Sequence, residues 1–283
     1  MKGSDPVTTR PAPPLSRRVS RGLAYLAAIL IGLYIMIPIY LVAIMAFSPR
    51  AVVYVYPKPL LPTQISLETM LFFLNSYGIL DSVKNSVLVA VFTLILSLVI
   101  GAPAGYALAR YIFPGGDVYR ILILSTRAFP VVILSIPLIT TYIAWGLDDT
   151  TLGVALLHTA MALPTTILVT SSIFVGVSKD LEEAAMTMGC TRAGAFRRVA
   201  LPLALPGLAA SAIFTFVLSW NEVFGAAILT VQNQTLPARL IVQLNQSPIP
   251  FRFAGGFFIL VPAIVFMLFV RRYLFSLWGV KLR

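Results

Sequence analysis

Acid is scarce in this chain. Ten Asp and Glu stand against 21 Lys and Arg, and charged residues make up only 11% of the 283, where a soluble domain carries roughly 25%. The single cysteine, Cys190, excludes an intrachain disulfide. The single histidine, His158, has no second His, Cys or carboxylate at ligand spacing, so no metal site is expected. No G-x-x-x-x-G-K-[ST] run is present, so the chain has no phosphate loop with which to hydrolyse ATP itself. Neither G-x-S-x-G nor H-E-x-x-H occurs, which leaves a membrane hydrolase without a nucleophile or a zinc site. No internal repeat is evident, and an ion-coupled secondary transporter built on inverted repeats gains no support. No cleavable signal is expected either: residues 1–21 are polar, Pro-rich and basic, and the apolar run after them is too long for a signal core.

What is there is apolar length. Hydrophobic residues make up 59% of the chain and mean hydropathy is +0.92. Six runs approach or exceed the ~20 residues that a membrane-spanning helix needs: 22–47, 82–109, 119–145, 151–175, 205–230 and 254–275. They do not alternate apolar and polar residues, so a β-barrel is excluded, and backbone groups in lipid are then satisfied only in helices. The fold class expected is an all-α, polytopic membrane protein of six spans, with a tail over 1–21 and one transmembrane domain over 22–283.

The net charge of +11 would suit a nucleic-acid partner if the basic residues formed a patch, but they sit in short clusters at the ends of the apolar runs. With both termini in the cytoplasm, fifteen of the 21 Lys and Arg fall in cytoplasmic pieces, five (Arg50, Lys58, Lys84, Arg239, Arg252) outside, and Arg127 within a span. That asymmetry predicts an N-in, C-in topology. It places Cys190 in a cytoplasmic loop, where thiols stay reduced, as an ordinary small residue of a short helix.

The same loop, 176–206, is a charged island between apolar runs. Lys179 to Cys190 is rich in helix formers, with Ser178 or Asp180 as N-cap, Gly189 as terminator and Glu182 and Glu183 suited to the N-terminal dipole. Pro202 and Pro206 are expected to reset the chain direction before the fifth span. On charge and propensity alone this is an ordinary capped linker helix.

The order of its residues says more. Glu183-Ala184-Ala185, then Gly189, Phe196 and Leu201-Pro202 resemble the "EAA loop" of ATP-binding-cassette importer permeases. Asn85-Ser86, Ala104-Gly105-Tyr106-Ala107-Leu108-Ala109-Arg110, Phe113-Pro114-Gly115, Ile136-Pro137-Leu138, Gly146-Leu147-Asp148-Asp149-Thr150, Trp220-Asn221-Glu222 and Gly279-Val280-Lys281 follow collinearly, and the set resembles the maltose-type carbohydrate permeases over about 82–281. Two positions depart: Met188 stands where the family pattern has Asp, and the chain closes on Leu282-Arg283 instead of a small residue.

The resemblance implies a type I importer permease of a bacterial cytoplasmic membrane. Glu182, Glu183, Ala184, Ala185, Gly189, Phe196, Leu201 and Pro202 would form a coupling helix and its flank, docking on one of two separate ATPase subunits that hold ATP and Mg. A second, homologous permease, membrane lipid and an extracytoplasmic solute-binding protein complete the expected partners. The polar outer loop, with Gln232, Asn233, Gln234, Gln243 and Asn245, is expected to meet the binding protein. Polar residues inside spans are functional candidates in their own right. Trp220, Asn221 and Glu222 either line a sugar path, with Trp220 stacked on a sugar face, or form an interhelical polar clamp. Arg127, roughly 12 Å into its span at 1.5 Å per residue, either faces the path of an anionic sugar or snorkels to headgroups. His158 is expected to be an interhelical hydrogen-bonding group.

Overall fold

The computed structural model describes residues 15–62 and 64–277, and among them every regular element is helical. The chain runs through α1 (Leu15–Ala46), the short α2 (Arg50–Val53) and α3 (Glu68–Leu74), then α4 (Ile79–Arg110), α5 (Gly116–Ser125), a 3-10 turn (Thr126–Ala128), α6 (Ser135–Trp145) and α7 (Thr151–Val175). After these come α8 (Lys179–Thr187), α9 (Arg192–Ala195), a π turn (Phe196–Ala200), α10 (Leu201–Asn221), α11 (Phe224–Leu229), α12 (Leu236–Gln243) and α13 (Ile249–Leu277). Five helical stretches are long and apolar enough to cross a membrane: Ser20–Ala46, Ile79–Arg110, Thr151–Val175, Arg192–Asn221 and Ile249–Phe269. The expected first span, 22–47, corresponds to Ser20–Ala46, and the helix that carries it extends back to Leu15. Residues 1–14 of the expected tail, and the closing run from Gly279, lie outside the described residues.

Two expected spans are broken. The third is divided into α5 and α6, neither long enough to cross a bilayer alone. Pro130 is the cause: it has no N–H to donate, and it holds Phe129 extended at φ −82°, ψ 112°. Ser125 and Thr126 begin the break, their hydroxyls donating back to Ile121 O and Ile123 O at 2.9 and 2.7 Å. The fifth span stops at Asn221 and resumes as α11. Pro202 and Pro206, expected to turn the chain ahead of that span, do not do so. The helix is continuous from Arg192 to Asn221; Pro202 sits in the first turn of α10 and Pro206 within it. Just before them the Leu201 N–H reaches back five residues to Phe196 O, a π turn that absorbs the irregularity.

The bundle is organised inside-out. Lipid supplies no hydrophobic force between helices, so close packing of small residues holds them together. On α4 the buried face includes Ser82, Ser86, Ala90, Thr93, Ser97, Gly101 and Gly105, each about one turn from the next, with Ile79, Val89, Ala102 and Leu108 beside them. Large residues of the same helix, such as Phe92, Ile95 and Val99, are exposed. This small face packs along α7, whose own buried face includes Ala155, His158, Thr159, Ala162, Thr166 and Thr170. A Cβ on Gly105 would overlap Thr170 Oγ1 and come within 2.7 Å of Ser171 N and 2.8 Å of Ile167 O, and one on Gly101 would come within 2.6 Å of Thr166 Cγ2. Thr170 Oγ1 donates across the seam to Gly101 O at 3.0 Å. Helix α10 joins with Gly207, Ser211, Thr215 and Ser219.

Since backbone atoms flank Gly105, no rotamer change relieves an added side chain there. Gly105→Val is therefore expected to destabilise the protein by about 1–3 kcal/mol or more, read as a fall in the thermal unfolding midpoint in detergent. Gly32→Ala in α1, where nothing lies within 4 Å of the added carbon, is expected to be neutral or stabilising by up to about 1 kcal/mol.

Candidate functional site: the loop helix and the polar seam

Helix α8 is built for exposure on one side and attachment on the other. Ser178 caps its start, its hydroxyl accepting the Asp180 N–H at 3.3 Å. Gly189, at φ 93°, ends it; its N–H reaches Met186 O at 3.0 Å and the Cys190 N–H reaches Ala185 O at 3.0 Å. This is a Schellman closure, which needs a residue at positive φ at that place.

The two glutamates of the loop separate in role. Glu182 points into the bundle. Its Oε1 accepts from Arg110 Nε at 2.8 Å and Nη2 at 2.5 Å, and its Oε2 from the Tyr106 hydroxyl at 2.5 Å. Arg110 Nη2 also donates to Val177 O at 2.8 Å. The ion pair is buried, with side chains 8% and 6% exposed. Arg110, the last residue of α4, thus ties that helix to the chain leaving α7 and to α8. Glu183 and Ala184 are exposed, as are Leu181 and the departing Met188, the latter 80% exposed. Two residues expected to meet an ATPase, Glu182 and Ala185, instead occupy the inner face of α8. Phe196 is also internal: its ring lies 4.6 Å from Tyr106 and 5.9 Å from Phe174, with Tyr106 and Phe174 5.4 Å apart. Leu201 packs at the edge of this cluster, and Pro202 is exposed.

The second site is the break in the fifth span. Glu222 Oε1 accepts the Gly225 N–H at 2.8 Å and Oε2 the Ala226 N–H at 3.0 Å. The side chain replaces the helical ladder and caps α11, which is why a charged residue interrupts an apolar run. His158, fully buried, lies with Nε2 3.0 Å from Glu222 Oε2 and Nδ1 2.9 Å from Ser219 Oγ. Since the carboxylate accepts, Nε2 carries the proton. Ser219 and Thr93 hydroxyls at 3.4 Å carry the chain of polar contacts across to α4. Trp220 and Glu222 both contact neighbouring helices. Trp220 is 1% exposed, its ring lies parallel to Phe216 at 5.9 Å, and its N–H donates to Ile259 O at 2.9 Å. Asn221 is exposed, with Nδ2 donating to Val217 O at 2.9 Å. Arg127 lies on the 3-10 turn, exposed, with Nη1 donating to Thr165 Oγ1 at 2.7 Å.

At the opposite end of the bundle from α8, Asp149 grips the long loop. Its Oδ1 accepts the N–H groups of Val231, Gln232 and Asn233 at 2.9, 3.0 and 2.9 Å, while Asn233 Nδ2 donates to Asp149 O at 2.8 Å. Beyond this clamp the loop folds inward. Gln234 is buried, and Leu236, at the start of α12, is fully buried with its N–H on Ser86 Oγ at 2.7 Å. Of the loop residues expected to meet a binding protein, Gln232, Asn233 and Asn245 are exposed, Gln243 is half-buried, and Gln234 is withdrawn into the core. Among the described residues no cluster of metal-ligating side chains occurs.

Residues 97–277 match the family described as the binding-protein-dependent transport system inner membrane component. The chain belongs to that family and is a multi-pass inner-membrane permease subunit, not an enzyme in its own right. It is 31% identical to the trehalose transport system permease protein SugB of Mycobacterium tuberculosis, over 88% of this chain and 92% of that one. It is 32% identical to the diacetylchitobiose uptake system permease protein DasC of Streptomyces coelicolor, over 74% and 77%. Among solved structures, a bacterial ABC transporter involved in the import of the acidic polysaccharide alginate superposes with a TM-score of 0.76 at 22% identity, covering 93% of this chain and 99% of that one. Tyr106, Arg110, Ser219 and Asp149 do work that no sequence expectation assigned to them.

The inner and outer faces of α8 separate two effects. Glu182→Ala leaves Arg110 buried without its counter-charge and is expected to destabilise by about 3–5 kcal/mol, seen as a lowered unfolding midpoint. Glu183→Ala is expected to leave the midpoint within about 0.5 kcal/mol of wild type.

Proposed function

We propose that this chain is the translocating permease of a type I ATP-binding-cassette importer that carries a sugar or sugar derivative inward. The substrate arrives on an extracytoplasmic solute-binding protein, and the energy comes from separate ATPase subunits. The observation that carries the reading is the two-sided α8. Its inner side is fixed to α4 through Glu182, Tyr106 and Arg110. Its outer side offers Leu181, Glu183, Ala184 and Met188, a mixed apolar and acidic surface for an ATPase groove.

A push on that surface does not bend α8 away from the bundle. It passes through the buried ion pair to the end of α4, through Val177 to the end of α7, and through the Phe196 cluster to α10. Such a displacement moves helices as rigid bodies. The reading places α8 and both termini in the cytoplasm, as the charge asymmetry indicates, and the Asp149 clamp with the α12 loop outside. Two ATPase subunits, holding ATP and Mg, and a second homologous permease complete the assembly. Met188, in place of the family's Asp, makes the contact with the ATPase less polar at that point. The carbohydrate class is supported by relatives named for trehalose and diacetylchitobiose transport. Gln232, Asn233, Gln243 and Asn245 are the loop residues proposed to face the binding protein.

Purification of the chain from its native membrane is expected to bring down an ATPase, a second permease and a solute-binding protein, and reconstituted vesicles are expected to take up sugar only with ATP inside. Recovery of the chain alone, active without ATP, would return the reading to an ion-coupled secondary transporter. The outer loop is tested at its exposed tip, since Gln234 and Leu236 are part of the core. Replacing Asn245 and Gln246 with glycine is expected to leave assembly and basal ATPase rate unchanged and to reduce stimulation by the loaded binding protein.

A further inference from the structure

Arg127 lies on the turn that divides the third apolar run, and a cation within a span is costly unless it faces water or a partner. Non-helical backbone persists at membrane depth only where it is buried in protein or lines a water-filled cavity. The segment from Thr126 to Leu134 is almost wholly exposed on this chain, so it faces a second permease or the transport path, and not lipid. The guanidinium is turned toward α7 by its bond to Thr165, which is not the direction of a headgroup. Among the described residues no carboxylate pairs with it.

Beside Arg127 lies a cavity of about 260 Å³ between α7 and α10, walled by Thr165, Thr166, Ser211, Phe214 and Thr215 among others. Thr166 and Thr215 hydroxyls satisfy each other at 3.1 Å. Ser211 is different: it is 1% exposed and its hydroxyl has no hydrogen-bond partner. A buried hydroxyl left unpaired costs roughly 1–3 kcal/mol, and a partner brought in from outside the chain would recover it.

We propose that this cavity is a subsite for the acidic group of a transported sugar, whether carboxylate, sulfonate or phosphate. The inference rests on the importer reading above and narrows its substrate class. An oxyanion suits the N–H groups of Arg127 not used by Thr165, because guanidinium binds planar or tetrahedral oxygens in a forked geometry. Ser211 takes a ring or acidic oxygen, and the exposed Phe214 ring supplies an apolar wall. The volume falls just below the ~300–1,000 Å³ of small-molecule sites, room for one acidic ring at a time. Arg127 is the one charged residue among those lining the cavity, and Glu222 at the end of α10 and His158 on α7 are paired with each other.

The test uses the assembled importer in nanodiscs, titrated by calorimetry with glucuronate and glucose 6-phosphate, and with glucose as the neutral reference. In wild type the acids are expected to bind about tenfold or more tighter than glucose, ~1.4 kcal/mol. Arg127→Gln is expected to remove that preference, Arg127→Lys to keep part of it, and Ser211→Ala to weaken the acids while the complex stays assembled. If glucuronate and glucose 6-phosphate bind unequally to each other but both exceed glucose, the site still stands and the stronger names its preferred oxyanion. Equal affinity for acids and glucose, no binding of either acid, or a preference surviving in Arg127→Gln overturns it. So does loss of the second permease from the Arg127→Gln complex, since Arg127 then serves the contact between permeases. Absence of an ATPase from the wild-type preparation strikes instead at the importer reading.

Discussion

The close approach of α4 and α7 governs the rest of the molecule. Their axes meet where Gly101 and Gly105 let one backbone lie against the other helix, and where Thr170 bonds directly to a main-chain carbonyl across the gap. In water, burying large apolar side chains would draw two helices together; in lipid that force is absent and packing of small residues replaces it. Both functional regions hang from the ends of this seam. At one end Arg110, one turn and a residue beyond Gly105, receives Glu182. Towards the other, Thr93 on α4 and His158 on α7 reach Ser219 and the break in α10.

The two regions use charge in different ways. At α8 a buried ion pair joins three elements that would otherwise be tethered only by loops. Such pairs add little net stability over apolar packing but specify one arrangement strongly, because breaking them is costly. At Glu222 the carboxylate meets His158 of α7 and also stands in for missing backbone bonds, and so makes a discontinuity permanent. Every one of the five long helices also contains a proline, at positions 38, 103, 164, 206 and 262. Irregular spans are therefore the rule in this chain.

Hydropathy made the long helices legible, and α7 occupies the expected 151–175 without change. It could not show the breaks, because averaging over a run conceals a single Pro130 or Glu222. Those residues were visible, but what each does depends on neighbours: Glu222 on the amides of Gly225 and Ala226, Pro130 on the hydroxyl-capped end of α5. The two adjacent glutamates of the loop were indistinguishable in one dimension. Only the phase of α8 against Arg110, 72 residues earlier, sends one inward and leaves the other out. Trp220 kept two readings for a related reason, since an aromatic in a span looks the same whether its face meets a ligand or a neighbouring helix. The Gly101-Ala102-Pro103-Ala104-Gly105 run has the small-residue spacing of a close helix contact, a signal the sequence reading did not use, and it is where the tightest packing is found.

The π turn at Phe196–Ala200 carries a consequence for how this family can vary. A π turn holds one residue more than the α-helix around it, and in an α-helix each residue advances the azimuth by about 100°. Ser211, Thr215 and Ser219 point at α4 and α7 only because that extra residue sets their phase, while Phe196 before it keeps its own place beside Tyr106. An insertion or deletion of one residue between them would leave length and hydropathy almost untouched and turn the whole polar stripe of α10 toward lipid. The spacing between Phe196 and Ser211 is thus a phase lock, and single-residue gaps there should be far rarer than substitutions.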